Sequence, residues 1–265
     1  MKYSIDTLIS RGRLHNLHCE DDLYVYENAD LIIAAVFDGC SSGKDSHFAS
    51  TMHKYMLNRI CNDIYSVTAI SDSYVIDGGK TVENILRVLN NSIWSLDYET
   101  DKEMLSTVVL LLIDKHTGSG HICVAGDGCF NRVYKGMDYF ESVHDANGNA
   151  VWYMSTVRPG DFDKYFSNYC RHTDFTLSDT SEVSISTDGL ESFVSQYGAS
   201  KTEDAKRIFF NTHVYEEKYR NMPLQRLYNI VTKGKCTAIG NETILNGDDF
   251  TMIKIKIEKE SDETE

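Results

Sequence analysis

Five acidic sites in this sequence share one placement. Residues 31–37, LIIAAVF, run apolar straight into Asp38-Gly39. ICVA at 122–125 leads into Gly126-Asp127-Gly128, and SIST at 184–187 ends at Asp188-Gly189. Asp248-Asp249 stand directly before FTMIKIKI, and Glu20-Asp21-Asp22 directly before LYVY. A core strand does not favour a carboxylate at its end unless something there compensates the charge. Strand ends that converge on one edge of a sheet stack would gather these groups with almost no Lys or Arg among them. Like charges at that range repel strongly in a low dielectric. Divalent cations between them relieve the repulsion. An all-oxygen donor set selects hard ions, magnesium, manganese or calcium, over zinc, and the glycines let backbone carbonyls approach. One Asp-Gly after a strand is ordinarily a turn; the ordered set of five is what points to a site.

Other chemistries fit less well. His15, His18 and Cys19 offer soft-metal ligands, but the spacing is loose and no second ligand cluster follows. Gly39-Cys40-Ser41-Ser42-Gly43-Lys44 has the flavour of a phosphate-cradling loop. It lacks the first glycine at the required distance, and Asp45 rather than Ser or Thr follows the lysine. Cys40 as a covalent nucleophile needs a thiolate-stabilising cation, and the surrounding carboxylates oppose one.

The elements that must position these residues are legible in outline. Strands are predicted at 31–37, 105–113, 121–125, 129–134 and 182–187, and 250–257 alternates as a half-buried strand. In 46–61, Phe48, Met52, Tyr55, Met56 and Ile60 recur at helical spacing; in 81–97, Val82, Ile85, Leu86, Leu89, Ile93 and Leu96 do. Met52 and Met56 read as core. Further helices are predicted at 201–212 and 222–232, and the aromatic-rich stretch 134–175 as a flap or loop region that contacts substrate. Strands outnumber crossover helices and helices come in pairs, which favours α+β layers with antiparallel sheets.

Composition sets the frame. The 265 residues carry 26 Lys and Arg against 40 Asp and Glu, a net charge of −14. That argues against nucleic acid or an anionic membrane as partner. Only 2 prolines are present and no linker divides the chain, so one domain is expected over 1–257, with 258–265 an acidic disordered tail. The 7 cysteines are scattered without a CxxC pair, no run reaches membrane-helix length, and the first residues lack a signal-peptide core. The expectation is a cytoplasmic protein.

Taken in order, these motifs resemble the metal-dependent type-2C Ser/Thr protein phosphatases, in the style of the bacterial branch. The residues that carry the resemblance are Glu20-Asp21, VFDG at 36–39, Ser106-Thr107 opening STVVLLLI, AGDG at 125–128, STDG at 186–189 and GDDFTMIKI at 247–255. Gly12-to-His15 and Cys19-to-Asp21 add to it, and the likeness spans about residues 4 to 257. It implies a four-layer α-β-β-α sandwich with two central antiparallel sheets flanked by helix pairs. It also implies two or three manganese or magnesium ions in the channel between the sheets, and a phosphorylated protein, made by a Ser/Thr kinase, as substrate. By position, Asp38 would bridge two ions with the Gly39 carbonyl as a further ligand. Asp188 and Asp248 would complete the first ion, Glu20 and Asp21 would hold the second through water, and Asp127 with Asp188 a third. A water bridging the two main ions would attack the phosphate. Two positions depart from the pattern. Cys40 stands where many members carry the His that protonates the leaving alkoxide. Arg13, the candidate phosphate contact, lies seven residues before Glu20, with Arg11 as its competitor. The alternatives are a catalytically silent signalling or binding module of this fold, and a small-molecule phosphoesterase.

Overall fold

The computed structural model describes residues 1–15, 17–40, 46–68, 77–96, 104–144, 152–210, 219 and 221–259. In chain order the strands are β1 (Lys2–Ser10), β2 (Asp22–Glu27), β3 (Leu31–Gly39), β4 (Ser106–Asp114), β5 (Ser119–Ala125), β6 (Gly128–Tyr134), β7 (Met137–Val143), β8 (Cys170–Thr176), β9 (Thr180–Ser186), β10 (Phe193–Ser195), β11 (Ile244–Asn246) and β12 (Phe250–Glu258). The helices are α1 (Ser46–Thr68), α2 (Gly78–Trp94), α3 (Phe162–Tyr169), α4 (Thr202–Phe209) and α5 (Leu224–Thr232). One sheet has the order β1-β12-β9-β6-β7 and the other β2-β3-β4-β5-β8, with β10 and β11 as a separate ribbon. Every paired strand is antiparallel.

Strand alternation builds the layers. On β3, Ile32, Ala34 and Val36 point to the facing sheet, where they pack with Val183, Ile185, Ile253 and Ile255. Leu31, Ile33, Ala35 and Phe37 point the other way, onto the layer of α1, α2 and α3. A third core, with Leu8, Phe250 and Met252, lies under α4 and α5. Three cores separate four layers, the predicted α-β-β-α sandwich. The buried β3 side chains each contribute on the order of 1.5–3 kcal/mol of burial, which fixes the phase of the strand and therefore of Asp38.

The helices follow prediction unevenly. On α2, Val82, Ile85, Leu86, Leu89 and Ile93 are all buried, and Asp77 caps the helix by accepting from the Lys80 amide at 3.1 Å. On α1 the predicted Phe48, Met52, Met56 and Ile60 pack partly buried against the helix-side core, but the innermost row is offset from them by one position. Ala49, His53, Leu57 and Cys61 form the fully buried row, while Tyr55 is 64% exposed. The hydropathy pattern hid this because a small and a polar residue occupy the innermost face. β1, β7, β8 and α3 were not predicted. β7 and β8 are sheet edges of mixed polarity, so 134–175 is partly sheet rather than loop. β12 runs one residue beyond the predicted boundary. The segment 41–45, with Gly43, Lys44 and Asp45, and residues 260–265 of the predicted tail lie outside the described residues. Among the described residues no helix is long and apolar enough to cross a membrane.

Candidate metal centre

The inward alternation of the sheets continues past the apolar stripe. On β3 the next inward position after Val36 is Asp38, paired with Thr107 of β4. Before Leu23 and Val25 on β2 it is Asp21; after Ile185 on β9 it is Thr187; before Ile253 on β12 come Thr251 and Asp249. The channel between the sheets is thus apolar along its length and acidic at one end. Asp127 enters from the β5–β6 turn, where Gly126 and Gly128 have φ of 106° and 146°, conformations that favour glycine. A side chain at Gly128 would also meet Val109 Cγ2 at 2.4 Å.

Asp38, Asp127 and Asp188 form the candidate centre: one carboxylate oxygen of each lies within 4.8 Å of the others, and all three are half-buried. Asp21 stands against Asp38, and its Oδ2 accepts from the Thr187 hydroxyl at 2.8 Å. Thr187 Oγ1 accepts in turn from the Thr251 amide at 3.1 Å. The other Asp21 oxygen and Glu20 Oε2 are buried with no hydrogen-bond partner. Orphaned, buried carboxylate oxygens beside a carboxylate trio are what a hard-cation site requires; the donor set fits magnesium or manganese.

Asp248 and Asp249, adjacent in sequence, part company. The Asp248 side chain is 43% exposed and faces His15 Nε2 at 3.2 Å, beside the trio rather than in it. Asp249 is buried and ties down Gly12, His15 and Glu20. Its Oδ1 accepts from the Gly12 amide at 2.6 Å, and its Oδ2 from the Glu20 amide and from His15 Nδ1, the latter at 2.8 Å. His15 is therefore engaged by two aspartates. Burial alone would lower its pKa, but Asp249, Asp248 and Glu20 outweigh burial and raise it. Gly39 donates its amide to the Glu20 carbonyl at 3.1 Å, which registers the Glu20-Asp21 corner on β3. Arg13 is exposed, its amide bonded to the Asn246 carbonyl at 3.2 Å.

Tyr153 is a site residue that the sequence did not single out. Its hydroxyl stands at Cys40, within the field of Asp127 and Asp38. Burial first, then Cys40 and these carboxylates, raise its pKa, so it remains a protonated donor at neutral pH. Its neighbours are clamped. Asn90 Nδ2 donates to the carbonyls of Met154 and Val157 at 2.8 and 2.9 Å, and the Tyr165 hydroxyl to the Trp152 carbonyl at 2.9 Å.

The electrostatics carry a testable consequence. Burial lifts the Asp21 carboxyl to about 7. Burial, then the charges of Asp188 and Asp248, lifts Asp127 to about 7, with His144 offsetting part of the rise. Both values exceed the unfolded carboxylate value near 4. The stability these groups contribute is complete below that value and is lost as pH rises through about 7. His53, lowered by burial to about 4, acts in the opposite sense, but equally with and without cation. We expect the Tm of chelated protein, relative to that of magnesium-loaded protein, to fall between about pH 4 and about pH 7. Superimposable curves would contradict the cluster electrostatics.

The family profile described as protein phosphatase 2C matches residues 11–228. Solved structures with the same fold include RsbX in complex with magnesium (TM-score 0.56, 16% identity, 97% of this chain and 96% of that one). A bacterial serine phosphatase matches at TM-score 0.66 and 12% identity, over 98% of this chain and 100% of that one. The serine/threonine phosphatase Stp1 from Staphylococcus aureus matches at TM-score 0.60 and 15% identity, over 98% and 96%. No curated protein sequence matches. With a profile match over most of its length and the fold to go with it, this chain belongs to the protein phosphatase 2C family, the phosphoprotein phosphatases.

Proposed function

We propose that the chain hydrolyses phosphoserine and phosphothreonine in proteins, using two or three magnesium or manganese ions held at the acidic end of the channel. The observation that carries this is the meeting of Asp38, Asp127 and Asp188 oxygens within 4.8 Å. Asp38, the Gly39 carbonyl, Asp188 and Asp248 would hold the principal ions together with Glu20 and Asp21, and Asp127 with Asp188 a further one. When bound, the ions neutralise phosphate charge and make water a better nucleophile. Thr187 orients Asp21, and Asp249 orients the Glu20 corner and His15. Arg13, with no side-chain partner among the described residues, presents a planar five-donor fork suited to phosphate oxygens. Tyr153, a protonated donor, and the Cys40 side chain stand at the same end of the channel, where a leaving alkoxide needs a proton. The test is hydrolysis of a phosphoserine peptide by purified chain. We expect turnover with manganese or magnesium and near-complete loss on chelation; full activity in excess chelator would defeat the reading.

Cys40 supplies a second prediction. Cys40→Ser keeps a hydroxyl facing Tyr153, and activity should stay within about tenfold of wild type. Cys40→His should raise the rate on alkyl phosphates, whose leaving groups need a proton, more than on p-nitrophenyl phosphate. An inactive serine variant that still binds metal would contradict attack by water alone and make Cys40 essential to the chemistry.

A further inference from the structure

A cleft of about 350 Å³ opens on the segment 152–169, which carries Tyr153. Its walls include Trp152, Tyr165 and Tyr169, with the Trp152 and Tyr169 rings stacked 4.8 Å apart at 16°. Arg158 and Lys164 line it as well, against one carboxylate, Asp161. Both cations are exposed, and neither has an ion-pair partner among the described residues. Other cations of this chain, whose net charge is −14, are neutralised in place. Lys54, Lys115, Arg171, Lys201, Lys206 and Lys254 are each paired with Asp or Glu.

The cleft is preformed. The Asn90 and Tyr165 clamps fix its floor, and Met154, Val157, Phe162 and Tyr165 are buried in the helix-side core. Preorganisation of this kind lowers the ordering cost of binding. It also adjoins Tyr153 along the chain, since Trp152 lines the cleft. Trp152 and Tyr153 are adjacent, and Tyr153 has extended backbone, with φ −67° and ψ 134°. Tyr153 reaches Cys40 while Trp152 walls the cleft. Adjacent Cα atoms lie about 3.8 Å apart, so a peptide whose phosphate sits near Tyr153 passes the Trp152 cleft within a few residues.

We propose that this cleft selects an acidic side chain, Asp or Glu, flanking the phosphorylated Ser or Thr of the substrate protein. The inference rests on the phosphatase reading. The carboxylate meets Arg158 and Lys164, and its methylenes lie on the Trp152 and Tyr169 rings. Elsewhere the negative molecule repels acidic chains, so a local pair of unpaired cations discriminates.

The test uses full-length chain with manganese and two phosphoserine peptides that carry Glu or Gln at the positions flanking the phosphoserine on both sides. We expect kcat/KM to favour the Glu peptide roughly fivefold, chiefly through KM, with the preference eroded by salt. The double variant R158Q/K164Q should lose that preference. It should match wild type on the Gln peptide and on p-nitrophenyl phosphate. Equal rates for the two peptides with wild type, or a preference that survives in the double variant, would overturn the proposal. No hydrolysis of p-nitrophenyl phosphate by wild type would instead sink the phosphatase reading. Calorimetric binding of the two peptides then decides on the cleft, equal affinities counting against it.

Discussion

Asp38→Asn is expected to lower phosphopeptide turnover at saturating metal by at least about 10³-fold, roughly 4 kcal/mol of transition-state stabilisation. The substitution keeps the shape of the side chain and removes its charge. Asp38 occupies the inward position at the end of β3, between Asp21 on one side and Asp127 and Asp188 on the other. Burial first, and then the charges of Asp21 and Asp188, hold its pKa well above the ordinary carboxylate range. In the metal-free protein that repulsion opposes folding at neutral pH. The variant should therefore keep or raise the Tm of chelated protein while losing turnover. A near wild-type rate would remove Asp38 from the metal centre. A large fall in the metal-free Tm would make its role structural instead.

Gly189→Ala is expected to be the most destabilising single-methyl change near the site. A Cβ there would lie 1.6 Å from the Asp249 carbonyl oxygen and 2.6 Å from its carbon. These are backbone atoms at the head of β12, so no rotamer change relieves the clash. The three-way packing of the Asp188 turn, the Gly247-Asp248-Asp249 corner and Gly12 depends on this contact. It depends equally on Gly12, whose Cβ would meet the Asp248 backbone carbon at 2.2 Å. We expect a loss of about 3 kcal/mol or more, read by denaturant unfolding, with metal affinity lost alongside because Asp188 is displaced. Gly160→Ala, with nothing within 4 Å of the added methyl, is the control and should shift stability by less than about 1 kcal/mol. A Gly189→Ala protein as stable as this control would refute the close packing.

How much of this was legible in the sequence depends on whether the signal was local. Asp38, Asp127 and Asp188 each end or follow an apolar run, so both the strand and its acidic terminus could be read together. The α2 stripe was legible because five aliphatic residues repeat at helical spacing. The α1 phase was not, because His53 and Ala49 occupy its inner face. Asp248 and Asp249 read as one acidic pair, yet successive residues of an extended chain face opposite ways, and the two take different roles. Tyr153 left no local trace at all. Its placement depends on Asn90, more than sixty residues earlier, and on Tyr165 across a helix start. Hydrogen bonds of that span are written in the fold and not in any spacing.

The central claim is that the carboxylate cluster is a divalent-cation site. Manganese bound by chelator-stripped chain, counted by electron paramagnetic resonance at about pH 7.5 where protons no longer compete strongly, tests it most directly. Two or more ions should bind to wild type, and Asp38→Asn should lose at least one of them or bind it far more weakly. The same count with the same affinity in wild type and variant would contradict the account.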